Sequence, residues 1–87
     1  MFLSQTFAAL ADDNRRKILD VLKKGERPVA AIAKNLEITD ATLSHHLDVL
    51  RRAGLVSSRR AGRQIFYSLN LSVTEEIAGA LVKFFKK

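Results

Sequence analysis

Apolar residues recur at helical spacing through most of this chain, broken by glycines and short polar caps, and they switch to strict alternation in one region. Phe2, Leu3, Phe7 and Leu10 lie near a period of 3.6 and predict a first helix from Phe2 to Ala11. Asp12 reads as the N-cap of a second helix over Asn14–Lys24, with Ile18, Leu19 and Leu22 on one face and Gly25 just past its end. Pro28 opens a short third helix that turns Val29, Ile32 and Leu36 inward, with small Ala30, Ala31 and Ala33 between them. After a tight connection at Ile38, Thr39 caps a longer helix over Asp40–Ala53, closed by Gly54. Leu55–Arg60 and Arg63–Leu69 then read as two strands around Ala61-Gly62, because Ile65, Tyr67 and Leu69 alternate with Gln64, Phe66 and Ser68. Ser72 and Glu75 form a capping box ahead of a last helix carrying Val73, Ile77, Leu81 and Phe84. The expected fold is mainly α with a small β-hairpin, in the order α-α-α-α-β-β-α.

An 87-residue chain without repeats or linkers is expected to form a single domain over residues 1–87. Its 47% apolar and 28% charged content is ordinary for a globular protein. It has no cysteine, which excludes disulfides, thiolate metal sites and a cysteine nucleophile. No apolar run is long enough to span a bilayer, so no membrane insertion is expected. The start of the chain lacks a basic flank and is interrupted by Ser4, Gln5 and Thr6, unlike a signal peptide, and the expected compartment is cytoplasmic.

Charge changes the picture through its placement. Fifteen Lys+Arg against nine Asp+Glu leave +6, and Val49–Thr74 contains no acid but five arginines: Arg51, Arg52, Arg59, Arg60 and Arg63. Guanidinium groups suit bidentate phosphate contact and narrow minor grooves. A solvated basic face would show the same composition.

The stretch PVAAIAKNLEITDATLSHHLDVLRRAGLV holds two helices meeting across a short connection, a helix-turn-helix arrangement. Leu43, Leu47 and Leu50 sit at i, i+4 and i+7 and face the core. The opposite face then carries Ala41, Ser44, His45 and Asp48, with Asp40 and Thr42 at its start. Short polar side chains there suit entry into a major groove about 12 Å wide. The basic hairpin that follows makes a wing, with Arg60 and Arg63 at its tip and Arg59 beside them. The expected DNA-binding set is therefore Asp40, Ala41, Thr42, Ser44, His45, Arg59, Arg60 and Arg63, and the expected partner is a double-stranded DNA operator.

SHHLDVLRRAGLV followed by RRAGRQIFYSLN resembles the ArsR family of winged-helix bacterial repressors, and ADDNRRKILDVL is similar to the opening of that family's second helix. The resemblance runs from about Phe7 to Val82 and is greatest to the SdpR-type autorepressor branch. It implies a winged helix-turn-helix transcriptional repressor acting as a homodimer. Asp40, Ala41, Ser44 and His45 would contact DNA, with wing contacts at Arg60 and Arg63. The first and last helices would form the dimer interface, through Phe2, Leu3, Phe7, Leu10, Ile77, Leu81, Phe84 and Phe85. Completion of a monomer core is the alternative for these apolar residues. Asp40 departs from the uncharged polar residue usual in the family; it either accepts from cytosine N4 or stabilises the helix dipole.

Several members of that family sense metals through cysteines or Asp/His clusters. This chain has no cysteine and no histidine on its last helix. His45 and His46 are adjacent, so they diverge by about 100° and cannot chelate one ion. No metal, cofactor or catalytic residue is expected. His45 reads as a phosphate or purine donor and His46 as a packing residue under the wing, and an ordinary surface role fits either. Arg15 either pairs with an acid or touches the DNA backbone. The rival to a DNA reader is a winged helix that binds only protein. An effector molecule or partner protein that relieves repression is left open.

Overall fold

The computed structural model describes residues 2–86, with the side chains of Phe2 and Leu3 outside the described residues. Helix α1 spans Phe2–Leu10 and α2 spans Asp13–Leu22. The Asp12 carboxylate accepts from the Arg15 backbone N–H at 3.1 Å, the expected cap. Gly25 ends the segment at φ +124°, a conformation that disfavours any side chain.

Strand β1, Arg27–Pro28, is the element the sequence pattern does not predict. Two residues are too few to show a period. The strand lies at the sheet edge and pairs antiparallel with β3, Arg27 opposite Tyr67 and Pro28 opposite Phe66. An edge is where proline is tolerated, since it has no N–H to donate. Helix α3 follows at once, Val29–Ala33, with Pro28 as its N-cap. It is shorter than the apolar spacing suggests: Leu36 lies beyond its end and packs half-buried against the core from the connection.

Helix α4 covers Asp40–Arg52. Thr39 Oγ1 accepts from the Thr42 N–H at 3.1 Å, as expected of the cap. At the far end Gly54 N–H bonds Arg51 O and Leu55 N–H bonds Leu50 O, both at 3.0 Å, with Gly54 at φ +78°. That pair of bonds is a Schellman motif, and the accompanying apolar contact comes from buried Leu50 and Leu55.

Strands β2 (Val56–Ala61) and β3 (Gln64–Leu69) pair with Ala61 opposite Gln64, so Gly62-Arg63 forms the turn, one residue later than expected. Gly62 takes φ +63°. The sheet order is β1-β3-β2, which makes β3 central. Helix α5, Leu71–Phe85, starts earlier than the Ser72/Glu75 box implies. Asn70 is the N-cap: its side chain accepts from Val73 N–H, and its backbone N–H is held by Leu55 O at 3.0 Å. An Asn already fixed at a strand end outcompetes a serine two residues later.

The core gathers Ile18 and Leu22 of α2, Ile32 of α3, Leu43, Leu47 and Leu50 of α4, Leu55 and Val56 at the sheet, and Ile77 of α5. It fixes α4 against α2 and the sheet on one side and leaves the other side of α4 open. Helix α5 carries apolar residues beyond this core, consistent with the chain's elongated 48 × 23 × 22 Å extent.

Candidate nucleic-acid interface

The core residues of α4 orient the rest of the helix. With Leu43, Leu47 and Leu50 buried, Asp40, Ala41, Thr42, Ser44 and His45 are all exposed. Thr42 is partly engaged, its hydroxyl accepting from Thr39 Oγ1 at 2.9 Å. Further along, Asp48 binds Arg51 at 2.7 Å and Arg52 at 2.9 Å, so those two arginines are tethered to their own helix.

Between α4 and the wing runs an open groove of about 530 Å³, lined by Ser44, Asp48, Arg51, Arg63, Gln64 and Tyr67 among others. Of the expected contacts, Ser44 on α4 and Arg63 at the wing tip line this groove, while Asp40, Ala41, Thr42, His45, Arg59 and Arg60 do not. Arg63 stands in the turn, exposed, with no side-chain partner among the described residues.

The ladder register sorts the other wing arginines. Arg60 pairs across from Ile65, and the following rungs on that face are Ser58–Tyr67 and Val56–Leu69, which lead down to the core. Ile65 and Tyr67 line the groove, so alternation places Arg60 on the groove side. Arg59 is opposite Phe66 on the far face. There its guanidinium sits 4.8 Å from the Phe66 ring centroid and donates twice to Glu26, Nε to Oε2 at 2.8 Å and Nη2 to Oε1 at 2.6 Å. Those bonds hold the Glu26 carboxyl below its usual pKa. Arg59, grouped with the DNA contacts from sequence, ties β2 through these bonds to the residue before β1. Nothing short of the register could separate it from Arg60.

His46 is not under the wing. It is 6% exposed and faces α2, its Nδ1 3.1 Å from Arg15 Nη1 and its Nε2 3.8 Å from Asp12 Oδ1. Burial lowers its pKa below the ordinary imidazole value; Asp12 opposes that, and the Arg15 and His45 charges add to it. Arg15 is not among the residues that line the groove. Its Nε donates to Ala9 O at 2.7 Å and its Nη2 to Ala8 O at 3.1 Å. Among the described residues no acid forms an ion pair with Arg15, and no local pattern in the sequence marks a side chain whose partners are backbone carbonyls.

The expected dimer residues divide. Ile77 is buried and Leu10 half-buried, both in the monomer core where the base of α5 meets α1 and α2. Phe7, Leu81, Phe84 and Phe85 are exposed, the last two at 78% and 79%. With Ala80 they line an apolar hollow of about 140 Å³. Val82, 54% exposed, adds to the same stretch of helix.

Among the described residues no three His, Asp or Glu side chains gather where they could hold a metal ion. No helix among them is long and apolar enough to cross a membrane.

Residues 12–58 match the model of the arsR family of bacterial regulatory proteins. Transcriptional repressor SdpR of Bacillus subtilis is 38% identical over 98% of this chain and 94% of its own length. The chain belongs to the arsR family. Among solved structures, an ArsR-like transcriptional regulator from a Rhodococcus species superimposes with a TM-score of 0.86 at 30% identity, covering 95% of this chain and 78% of that one. A homodimeric winged helix-turn-helix DNA-binding domain from Mycobacterium bovis does so at 0.79 and 35% identity, covering 93% and 76%. The fold is thus a winged helix-turn-helix, with α3 and α4 as the helix pair and β2–β3 as the wing. As an arsR-family member the chain is a regulatory protein rather than an enzyme. The family match begins at the Asp12 cap and ends at Ser58 on β2, so it takes in the α2–α4 contact through His46 as well as the helix-turn-helix.

Proposed function

We propose that this chain, as one DNA-binding domain over residues 1–87, is a cytoplasmic transcriptional repressor that binds a pseudo-palindromic operator as a homodimer. One observation carries the reading. The polar face of α4 and the wing tip border a single groove, with Ser44 on one wall and Arg63 on the other. In this reading α4 lies in the major groove, with Asp40, Ala41, Thr42, Ser44 and His45 toward base edges and phosphates. Arg60 and Arg63 neutralise flanking phosphates or enter the adjacent minor groove. Homodimerisation covers the exposed Phe7, Leu81, Phe84 and Phe85, and it sets two such units a helical turn apart. Membership of the family, the likeness to a repressor over nearly the whole chain and the likeness to a homodimeric DNA-binding domain support the same conclusion.

The test is binding to the duplex lying immediately upstream of the chain's own gene and to a scrambled duplex, at two salt concentrations, with stoichiometry measured. Two protomers per site, sequence preference and steep loss of affinity with salt are expected. Absence of binding to either duplex would instead fit a protein-interaction module.

A further inference from the structure

Arg15 holds three helices together through one side chain. Its Nε and Nη2 donate to Ala9 O at 2.7 Å and Ala8 O at 3.1 Å in the last turn of α1, where Ala8 O also accepts from the Ala11 N–H at 3.2 Å. Its Nη1 lies 3.1 Å from Nδ1 of His46, which is 6% exposed on α4. The neighbouring Arg16 donates to Leu10 O, so the end of α1 is gripped from α2 twice. A guanidinium has donors only and stays charged, so the Arg15–His46 contact requires an acceptor at Nδ1. That fixes the ring as the neutral tautomer with its proton on Nε2, the nitrogen 3.8 Å from Asp12 Oδ1.

We propose that Arg15 is a positioning residue for the DNA-reading helix: by holding the end of α1 and a neutral His46 together it fixes α4 relative to α1, and protonation of His46 releases that hold. The inference rests on α4 being the DNA-reading helix. Its consequence is a built connection between the helix that carries Phe7 and the helix that carries Ser44 and His45. An imidazolium offers no lone pair at Nδ1 and sets a second positive charge against the guanidinium. The charged and titratable groups facing the ring are Arg15 of α2, Asp12 at the cap of α2, and His45 of α4 itself, 5.7 Å away between ring centroids; the α1 carbonyls in the set accept from Arg15. Since the folded pKa lies below the ordinary imidazole value of 6.5, the contact is fully present above that pH and lost as pH falls through the folded value. Asp12, whose own pKa is lowered chiefly by the Arg15 backbone N–H, remains ionised through that range and is the acceptor a protonated ring turns to.

The experiment compares the wild type with His46→Asn, whose amide oxygen can accept from Arg15 and does not titrate. Affinity for the upstream duplex is measured from about pH 7.5 to 4.5, a range extended downward because burial lowers the His46 pKa below the ordinary imidazole value. Both proteins keep His45, so the ratio of their affinities isolates His46. That ratio should move in favour of His46→Asn by roughly fivefold or more on acidification, the low end of coupling between linked sites, and an added Arg15→Ala change should flatten it. A flat ratio in the parent pair overturns the proposal. Nitrogen-15 NMR of wild-type His46 near neutral pH is a second measurement that does not depend on DNA or on the variant folding: Nδ1 unprotonated and Nε2 protonated supports the contact, and the reverse tautomer refutes it. Should neither protein bind the duplex at any pH, the DNA reading of α4 fails, while the NMR result still decides whether Arg15 holds His46.

Discussion

The three arginines of the wing are chemically identical and lie within five residues, yet they should contribute very differently to DNA binding. Arg63 is exposed in the Gly62-Arg63 turn, and Arg60 shares the groove face with Ile65, both without side-chain partners among the described residues. Arg59 is closed into a two-bond pair with Glu26 on the far face. Each phosphate neutralised adds about 0.9 to the slope of log affinity against log salt. Arg63→Ala and Arg60→Ala should therefore each lower the slope by about 0.9, and Arg59→Ala, which removes a charge already matched by Glu26, by close to zero. Between about 50 and 200 mM salt the wild-type advantage over Arg63→Ala should shrink roughly 3.5-fold, whereas the advantage over Arg59→Ala should stay constant. Fluorescence anisotropy of a labelled operator duplex across that range measures both. A slope change for Arg59→Ala equal to that for Arg63→Ala would falsify the assignment of Arg59 as a brace and place all three on the DNA.

Ser44→Ala and His45→Ala should each weaken operator binding by about 1–3 kcal/mol and leave affinity for scrambled DNA intact; equal losses on both, in competition assays, would remove them from base recognition. Phe84→Glu should shift the protein toward monomer in sedimentation and weaken operator binding with it, since this ring is 78% exposed and contributes little to the monomer's own packing. An unchanged dimer would move the interface off α5. Gly54→Ala should lower stability by about 1–2 kcal/mol in a thermal melt, from the left-handed backbone alone. The added Cβ would meet Val73 Cγ2 at an ordinary 3.6 Å, so a much larger loss would show that the space beside Gly54 is tighter than this contact implies.

Much of this arrangement is legible in the sequence because the signals are local. Asp12, Thr39, Gly25 and Gly54 mark helix ends through bonds within a few residues, and Leu43, Leu47 and Leu50 fix the outward face of α4 by spacing alone. The features that escaped depend on partners distant in the chain. Strand β1 exists because β3 offers Tyr67 and Phe66 to Arg27 and Pro28. Asn70 wins the cap of α5 because Leu55 O anchors its backbone. Arg59 and Arg60 differ only through ladder register, and Ile77 and Leu81, one helical turn apart on α5, differ in burial because the helix leaves the core between them. Arg15 and His46, 31 positions apart, carry no mark of each other at all.

The brief pairing of Arg27 and Pro28 with β3 also decides how the wing can move. Braced on both edges at Phe66 and Tyr67 but on one edge only from Ile65 outward, the hairpin is a cantilever with a fixed root and a short free end. At about 3.4 Å per residue the unbraced part of β3 is only some 7 Å long, enough to tilt Arg63 over a wider or narrower groove without disturbing α3 or α4. In the proposed complex, differences in duplex shape would thus fall on the hairpin tip rather than on the helix.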